Sequence, residues 1–366
     1  MTLHIFNPEH DIALAANLAN FTAPHAGRQL RADLDFLPAI WARKGDRVLV
    51  ENPEHAAKQW KRLFSRLVPN KENSCCCSEN ELFLPWGAVV SKGTTGVEPW
   101  GWDIALKAAL KRKGITESLL PSDASLEHIR QLSHRRTSAS LLPLLQMEGT
   151  VGEAYECTTE AQVEALMQRY DMVVIKAPWS SSGRGVRFLD GRCMMEDGRC
   201  MMENGRWLSN IIQRQGSVMV EPFYRKVKDF GMEFTVSDGT IRYEGLSLFH
   251  THHGAYTGNI IAAESVKRQA LSRYVSLDLL DRVRELVITH LDLSGYEGPF
   301  GIDMMIVKGG LLHPCVEINL RRTMGHVALA LERLIHPDED DSEDRRIMRI
   351  DYDGSHYKLR VLRRTP

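Results

Sequence analysis

The sequence predicts an α/β chain that turns to α+β toward its C-terminal end. Apolar strand-like runs alternate with helix-period stretches as far as about residue 215. From about residue 216, strand pairs joined by Gly-containing turns take over. The length, 366 residues, fits two or three domains at ~100–200 residues each.

The composition, 43% hydrophobic and 25% charged, supplies enough apolar side chains for a real core. A formal net charge of −1 gives no field that favours nucleic acid or an anionic membrane, so neither is expected as a partner. No apolar run approaches the ~20 residues of a membrane helix. The opening MTLHIFNPEHDIALA has neither the basic segment nor the long apolar core of a secretion signal, and a cytoplasmic location is the expectation. Seven cysteines, an odd number, point to reduced thiols. Cys75, Cys76 and Cys77 are adjacent, cannot converge on one metal as a CxxC pair can, and read as part of a polar loop.

Residues 1–118 read as an αβ domain. Leu3–Phe6 and Arg47–Val50 are strand runs, while 28–44 and 54–67 have helical periodicity. Asn70–Asn80 is a polar loop, and Trp102–Lys113 a helix stopped by Gly114. The tetrapeptide Asn-Pro-Glu-His occurs at Asn7–His10 and at Asn52–His55, each after a strand run, a match too short to define a domain repeat.

Residues 119–215 form a second unit. Ser125–Leu132 and Thr137–Gln146 are helical, and Thr159–Gln168 is a helix with a Thr cap and Glu160 in its first turn. The buried strand Met172–Ile175 ends in Lys176. From Asp190 the segment DGRCMME occurs twice in tandem. An insertion of odd length would invert a paired strand, so the duplication is expected in a loop or hairpin tip.

Residues 216–366 form the third unit. Val218–Val220 is a strand, and Met232–Val236 and Thr240–Leu248 form a hairpin about Asp238-Gly239. Leu279–Leu291 is helical. Phe300–Val307 and Leu311–Leu320 form a second hairpin, and Ile347–Asp351 with His356–Val361 a third about Asp353-Gly354. The charged run His336–Arg345 is expected to be solvated.

Walker A, GxGxxG, HExxH and GxSxG patterns are absent, which removes the common nucleotide and hydrolase readings. Three other elements occur in order. In VVIKAPWSSSGRGV, Val173–Val186, a buried strand delivers Lys176 to a Ser/Gly loop. The loop's backbone N–H groups can cradle phosphate, Gly183 and Gly185 supplying the backbone angles, and the lysine adds a point charge. Alone, the segment is equally a strand with a flexible loop. In VMVEPFYRKVKDFGMEFTV, Val218–Val236, a strand breaks at Glu-Pro-aromatic, where backbone groups can meet an adenine edge; alone it reads better as an edge strand ending at Pro222. In GPFGIDMMIV and HPCVEINLRRTMGH, within Gly298–His326, Glu317 and Asn319 share one face of a strand and Asp303 lies on its hairpin partner. Two carboxylates and an amide near arginines suit Mg²⁺ held with phosphates, and such a polar face is costly in an apolar hairpin unless it holds something.

In order and spacing this set resembles the ATP-grasp superfamily, in its carboxylate–amine or carboxylate–thiol ligase branch. The match covers roughly 120–330; residues 1–118 fit the preceding αβ (pre-ATP-grasp) domain by pattern. The resemblance implies that 119–215 is the small subdomain with the phosphate loop and 216–366 the subdomain with the metal site. It implies that Lys176 binds the ATP phosphates and that Ser180, Ser181, Ser182, Gly183 and Gly185 form the loop over them. Glu221, Pro222 and Tyr224 would line the adenine, the last two through their backbone. Asp303, Glu317 and Asn319 would bind Mg²⁺, or Mn²⁺ in its place, and Arg321 would stabilise the transferred phosphoryl group. Where the family often has a lysine, this chain offers Arg135 and Arg136 for a phosphate contact.

The activity implied is ATP- and Mg²⁺-dependent ligation, in which a small-molecule carboxylate becomes an acyl phosphate that an amine then attacks. A homodimer is a candidate assembly. Two other readings stay open: a phosphotransferase that stops at the phosphorylated product, and a non-catalytic nucleotide-binding module, against which the metal set with Arg321 argues. Two loops are candidates for the substrate. One is Phe249–Asn259 with His250, His252 and His253, otherwise an exposed polar loop; the other is Asn7–Asp11 at the end of the first strand, otherwise a turn capped by Asp11. The metal set also makes a demand on register. Asp303 must oppose an odd-numbered residue to share a face with Glu317, so a three-residue turn or a bulge near Pro314 is expected, against the two-residue turn that Gly309-Gly310 favours.

Overall fold

The computed structural model describes residues 1–68, 79–88, 93–180, 185–191, 199–252, 255–336 and 344–363. Ser181, Ser182, Gly183, His253, the run Cys75–Cys77 and most of the acidic segment 336–345 lie outside the described residues. The described strands form four four-stranded sheets.

The first sheet is parallel and contains β1 (Thr2–Ile5), β2 (Arg47–Val50), β3 (Phe83–Pro85) and β4 (Gly96–Pro99), in the order β3-β2-β1-β4. Leu3, Ile5, Val48, Leu49 and Val50 are all buried, as the unbroken apolar runs of a sheet covered on both faces require. The helix expected over 54–67 runs Pro53–Leu67. The one expected over 28–44 is instead a helix His25–Leu34 and a 3₁₀ turn Leu37–Ile40, because Pro38 has no N–H to continue the ladder. The two Asn-Pro-Glu-His copies differ. Asn52 caps the helix Pro53–Leu67 by accepting from the His55 N–H at 3.1 Å. Asn7 caps nothing; its amide donates to the Gly101 carbonyl at 2.8 Å and ties the end of β1 to the end of β4.

The second sheet contains β5 (Tyr155–Cys157), β6 (Met172–Lys176), β7 (Val186–Asp190) and β8 (Val218–Pro222), in the order β5-β8-β6-β7. Thr159 opens the helix Glu160–Arg169 with a full capping box, so that helix is readable from its first residues. β8 pairs with both β5 and β6, so strand pairing runs across the expected boundary at 215/216. Val218 and Val220 complete one core with Val173 and Ile175, and the chain leaves this sheet only after Pro222. The duplication is also not wholly a loop. Its second copy runs into a helix, Arg199–Gln215. Seven residues are close to two helical turns, so a repeat of that length keeps a helix in phase where it would invert a strand.

The C-terminal part contributes β9 (Lys226–Ser237), β10 (Thr240–Ser247), β11 (Phe249–His252), β12 (Ala255–Ile261), β13 (Gly298–Val307), β14 (Leu311–Asn319), β15 (Arg346–Tyr352) and β16 (Tyr357–Arg363). They form two sheets, β10-β9-β13-β14 and β11-β12-β15-β16. The turn at Asp238-Gly239 has φ of 52° and 67°, the doubly positive geometry of a tight hairpin. The segment Phe249–Asn259 is not a loop but the β11–β12 hairpin. In the larger sheet, Phe230, Met232, Phe234, Ile302, Met304 and Ile306 face a core shared with the helix Leu277–His290. The alternation places Gly231, Glu233, Asp303 and Met305 on the opposite face.

Candidate functional site

Register brings Asp303 and Glu317 together. Lys308–Gly310 makes a three-residue turn, so Val307 opposes Leu311 and Met305 opposes His313. The pairing then shifts, and beyond the shift Asp303 opposes Glu317 and Gly301 opposes Asn319. Opposed residues point to one face, so Asp303, Met305, His313 and Glu317 share a face, as the parity argument requires. Both devices expected from parity are present, a three-residue turn and an irregularity about Pro314. Asn319 donates to Asp303 at 3.2 Å. Burial, aided by the charges of Glu317 and Glu233, pushes the Asp303 carboxyl up to about 7. Glu233 itself is committed elsewhere, accepting from Thr323 at 2.8 Å and lying 3.0 Å from His326. Among the described residues no group of three or more His, Cys, Asp or Glu converges to hold a metal. The set here is two carboxylates and an amide, the sparse donor set that suits Mg²⁺ when phosphate oxygens complete the shell.

Two arginines flank this face. Arg135 donates to Glu317 at 2.7 Å and to the Ser180 hydroxyl at 2.9 Å, linking the metal candidates to the first residue of the Ser/Gly loop. Arg136 turns away and pairs with Glu156 at 3.3 Å, with its side chain about half exposed. Of the two arginines offered for a phosphate role, only Arg135 stands among the other candidates. Arg321 donates to Asn319 at 2.9 Å and, through two nitrogens, to Asp11 at 2.8 and 2.7 Å. Burial pushes the Asp11 carboxyl up, but the Arg321 guanidinium outweighs it and the group sits below the usual range. Asp11 therefore is not a turn cap; it ties the helix His10–Ala16 to the site.

Lys176 and Glu221 come from neighbouring strands of the second sheet. Val174 opposes Glu221 and Lys176 opposes Met219, so both side chains lie on one face, and they form a buried ion pair of 2.7 Å. Gly185 is glycine for space rather than for an unusual backbone angle. It has no positive φ, and a Cβ there would run into the Ser180 side chain. Pro222 ends β8, and the Phe223 N–H donates to the Met172 carbonyl at 2.9 Å. The crossing reaches the larger sheet where the Lys308 N–H donates to the Arg225 carbonyl at 2.8 Å. Tyr224 packs edge-on against His313, ring centres 5.5 Å apart. His313 is 1% exposed, and neither ring nitrogen has a hydrogen-bond partner. Burial next to the Lys176 charge lowers its basicity to about 3 and keeps it neutral.

Sequence reasoning named Lys176, Glu221, Asp303, Glu317, Asn319, Arg135 and Arg321, but not the partners Asp11 and Arg321 find in each other, nor His313. In the β11–β12 hairpin, Thr251 donates to Asp229 at 2.6 Å. No described helix is long and apolar enough to cross a membrane.

No protein-family model matches the chain, and no curated protein matches it in sequence. Solved structures do. An N5-carboxyaminoimidazole synthetase from Staphylococcus aureus, in complex with ADP, is 12% identical with a TM-score of 0.52, over 96% of this chain and 82% of that one. An N5-carboxyaminoimidazole ribonucleotide synthetase in an ADP complex is 11% identical with a TM-score of 0.52, over 99% of this chain and 91% of that one. At such identities the likeness speaks for the fold alone. With mixed sheets and helices throughout and the three motifs in order, the chain has the ATP-grasp fold.

Proposed function

We propose that this protein is an ATP-dependent ligase that activates a small carboxylate as an acyl phosphate and passes the acyl group to an amine. The observation that carries the reading is the meeting of Asp303, Glu317 and Asn319 on one face, flanked by Arg135 and Arg321. That is an arrangement for holding a polyphosphate and neutralising charge as its terminal group moves. The similar solved structures with ADP agree with a nucleotide at this fold.

The donor set fits a divalent cation, because the Asp303 and Glu317 carboxylates oppose each other on one face with the Asn319 amide beside them. Asp303, Glu317 and Asn319 would hold Mg²⁺, which when bound supplies charge neutralisation at the phosphates. Lys176, released from Glu221 or shared with it, offers an ammonium to phosphate oxygens. Ser180, held by Arg135, fixes the start of the loop that would exclude water from the acyl phosphate. Arg321, kept rigid by Asp11, presents its charge to the phosphoryl group without reorganising. Glu221, Pro222 and Tyr224 would border the adenine.

An ADP-release screen of the purified protein with Mg·ATP against amino acids and small carboxylates, with mass spectrometry of products, tests this. Ligation gives ADP, phosphate and a condensed product. A stable phosphorylated product would move the assignment to phosphotransfer, and ATP binding without ADP under any combination would remove the enzyme reading.

A further inference from the structure

Asn7–Glu9 join β1 to the helix His10–Ala16, which His10 opens. His10 is 1% exposed, and its Nδ1 lies 3.2 Å from Asp103 Oδ2. Asp103 is 3% exposed and fixed on both oxygens: Oδ1 caps the helix Ile104–Arg112 by accepting from the Leu106 N–H at 2.8 Å, and Oδ2 also faces the Asn7 amide at 3.3 Å. The imidazole lies against Gly101, where a Cβ would stand 2.6 Å from the ring, so residue 101 is small where the ring needs room. His10 also lines a small cavity of about 20 Å³, room for one water, together with Asp11, Ser180, Glu317 and Asn319. Segments at the carboxyl ends of parallel strands face ligands in open α/β sheets, and His10 opens the helix that follows β1 beside β4.

We propose that His10, oriented by Asp103, is the general base of the second half-reaction, taking the proton of the attacking amine. This rests on the ligase reading. A carboxylate that accepts at Nδ1 places the ring proton there and leaves the Nε2 lone pair free. The amine nitrogen attacks the acyl carbon and the C–N bond forms. The C–O bond to phosphorus-bound oxygen breaks, and its electron pair leaves with inorganic phosphate. The N–H proton passes to His10 Nε2, and the imidazolium, stabilised by Asp103, returns it to solvent. Asp103 is a positioning residue; Asp11 and Glu317 line the same cavity, with Arg321 and Arg135 paired to them.

The test uses the full chain with Mg·ATP carrying ¹⁸O at the β,γ-bridge and a pool of the twenty amino acids and common dicarboxylates. Positional isotope exchange reads acyl phosphate formation, and condensed product reads amine attack. In His10→Gln, exchange should persist within about threefold while product falls by ~10²–10⁴-fold, the usual worth of a positioned base. Hydroxylamine, already unprotonated at neutral pH, should rescue His10→Gln as the hydroxamate, which a merely damaged fold would not allow. Asp103→Asn should show the same split. Product formed at the normal rate, or exchange and hydroxamate lost together, would overturn the proposal. Should wild-type protein show neither exchange nor ADP, the ligase reading falls separately. The ¹⁵N shifts of His10 then decide the dyad: an Nδ1–H tautomer that is lost in Asp103→Asn upholds it, and an Nε2–H tautomer or an imidazolium at pH 7.5 sinks it.

Discussion

Asp11 and Arg321, 310 positions apart in the chain, meet through two hydrogen bonds of 2.8 and 2.7 Å. Each side chain is 17% exposed, so neither charge is well served by water alone. Asp11→Ala leaves the guanidinium in place without its partner, and breaking such a pair costs about 3–5 kcal/mol when fully buried, somewhat less here. Thermal unfolding should show a clear loss for Asp11→Ala and for Arg321→Ala, and less than the sum for the double variant. Additive losses would mean the pair is not coupled.

Arg321→Ala should lower turnover more than it weakens Mg·ATP binding. The guanidinium is expected to meet charge that develops during transfer, and removing one such group typically costs about 10²–10³ in rate. Steady-state kinetics beside a nucleotide titration separate the two. Normal turnover with weaker binding would reassign Arg321 to holding the ground state.

Lys176 and Glu221 allow a nucleotide test that does not confuse binding with folding. Lys176→Ala strands a buried Glu221 carboxylate and should destabilise the protein whether or not ATP binds. The pair Lys176→Met with Glu221→Leu replaces both charges with apolar groups and should fold close to normally. Millimolar Mg·ATP should raise the melting temperature of the wild type by mass action, the native state gaining about 2.7 kcal/mol at a hundred times Kd. The double variant should lose that rise. An undiminished rise would take Lys176 out of the nucleotide site.

Asp35 predicts a pH dependence. It is 1% exposed, one oxygen accepts from the Glu51 N–H at 2.6 Å, and the other has no partner. Burial pushes its carboxyl up to about 7. Between about pH 4 and 7 the native state therefore keeps a proton that the unfolded chain has lost, and stability contributed by that proton falls as pH rises through this window. Asp35→Asn should flatten that part of the profile and gain roughly 1–3 kcal/mol at pH 8. Urea melts at pH 5, 7 and 8 measure it, and parallel profiles for the two proteins would dispose of the idea.

Gly101→Ala should cost roughly 1–3 kcal/mol by overpacking, since the new methyl meets the His10 ring at 2.6 Å. A shift of the His10 side-chain resonances should accompany the loss of stability. A neutral substitution would show that the ring has room to move.

What was legible in the sequence was local. Lys176 could be placed because a strand's apolar run points at it, and Glu317 with Asn319 because alternation on a strand fixes facing. The meeting of Asp303 with Glu317 was open to parity. The Thr159 cap and the Asp238-Gly239 turn announced themselves in the same way. What was hidden was long-range. Nothing near Asp11 marks it as the partner of Arg321, and His10 and Asp103 are 93 residues apart. The two Asn-Pro-Glu-His copies show the limit clearly, since one asparagine caps a helix and the other laces two strands. That difference is set by Gly101 and Asp103, which only the sheet brings near.

The shifted pairing in the β13–β14 hairpin separates two quantities that a regular ladder would lock together. Turn length sets which side of the sheet the carboxylates occupy; the slack at Pro314–Val316 sets how far apart they stand. Continued from Met305 and His313 without the shift, the ladder would put Cys315 across from Asp303 and leave Glu317 two places further on, about 7 Å along the strand. Both carboxylates would still look the same way, but over too wide a span for one small cation to bridge. A proline that cannot join a ladder thus works as a spacing screw: it advances Glu317 by the two places that bring it across from Asp303, and leaves the sheet's sidedness to the turn.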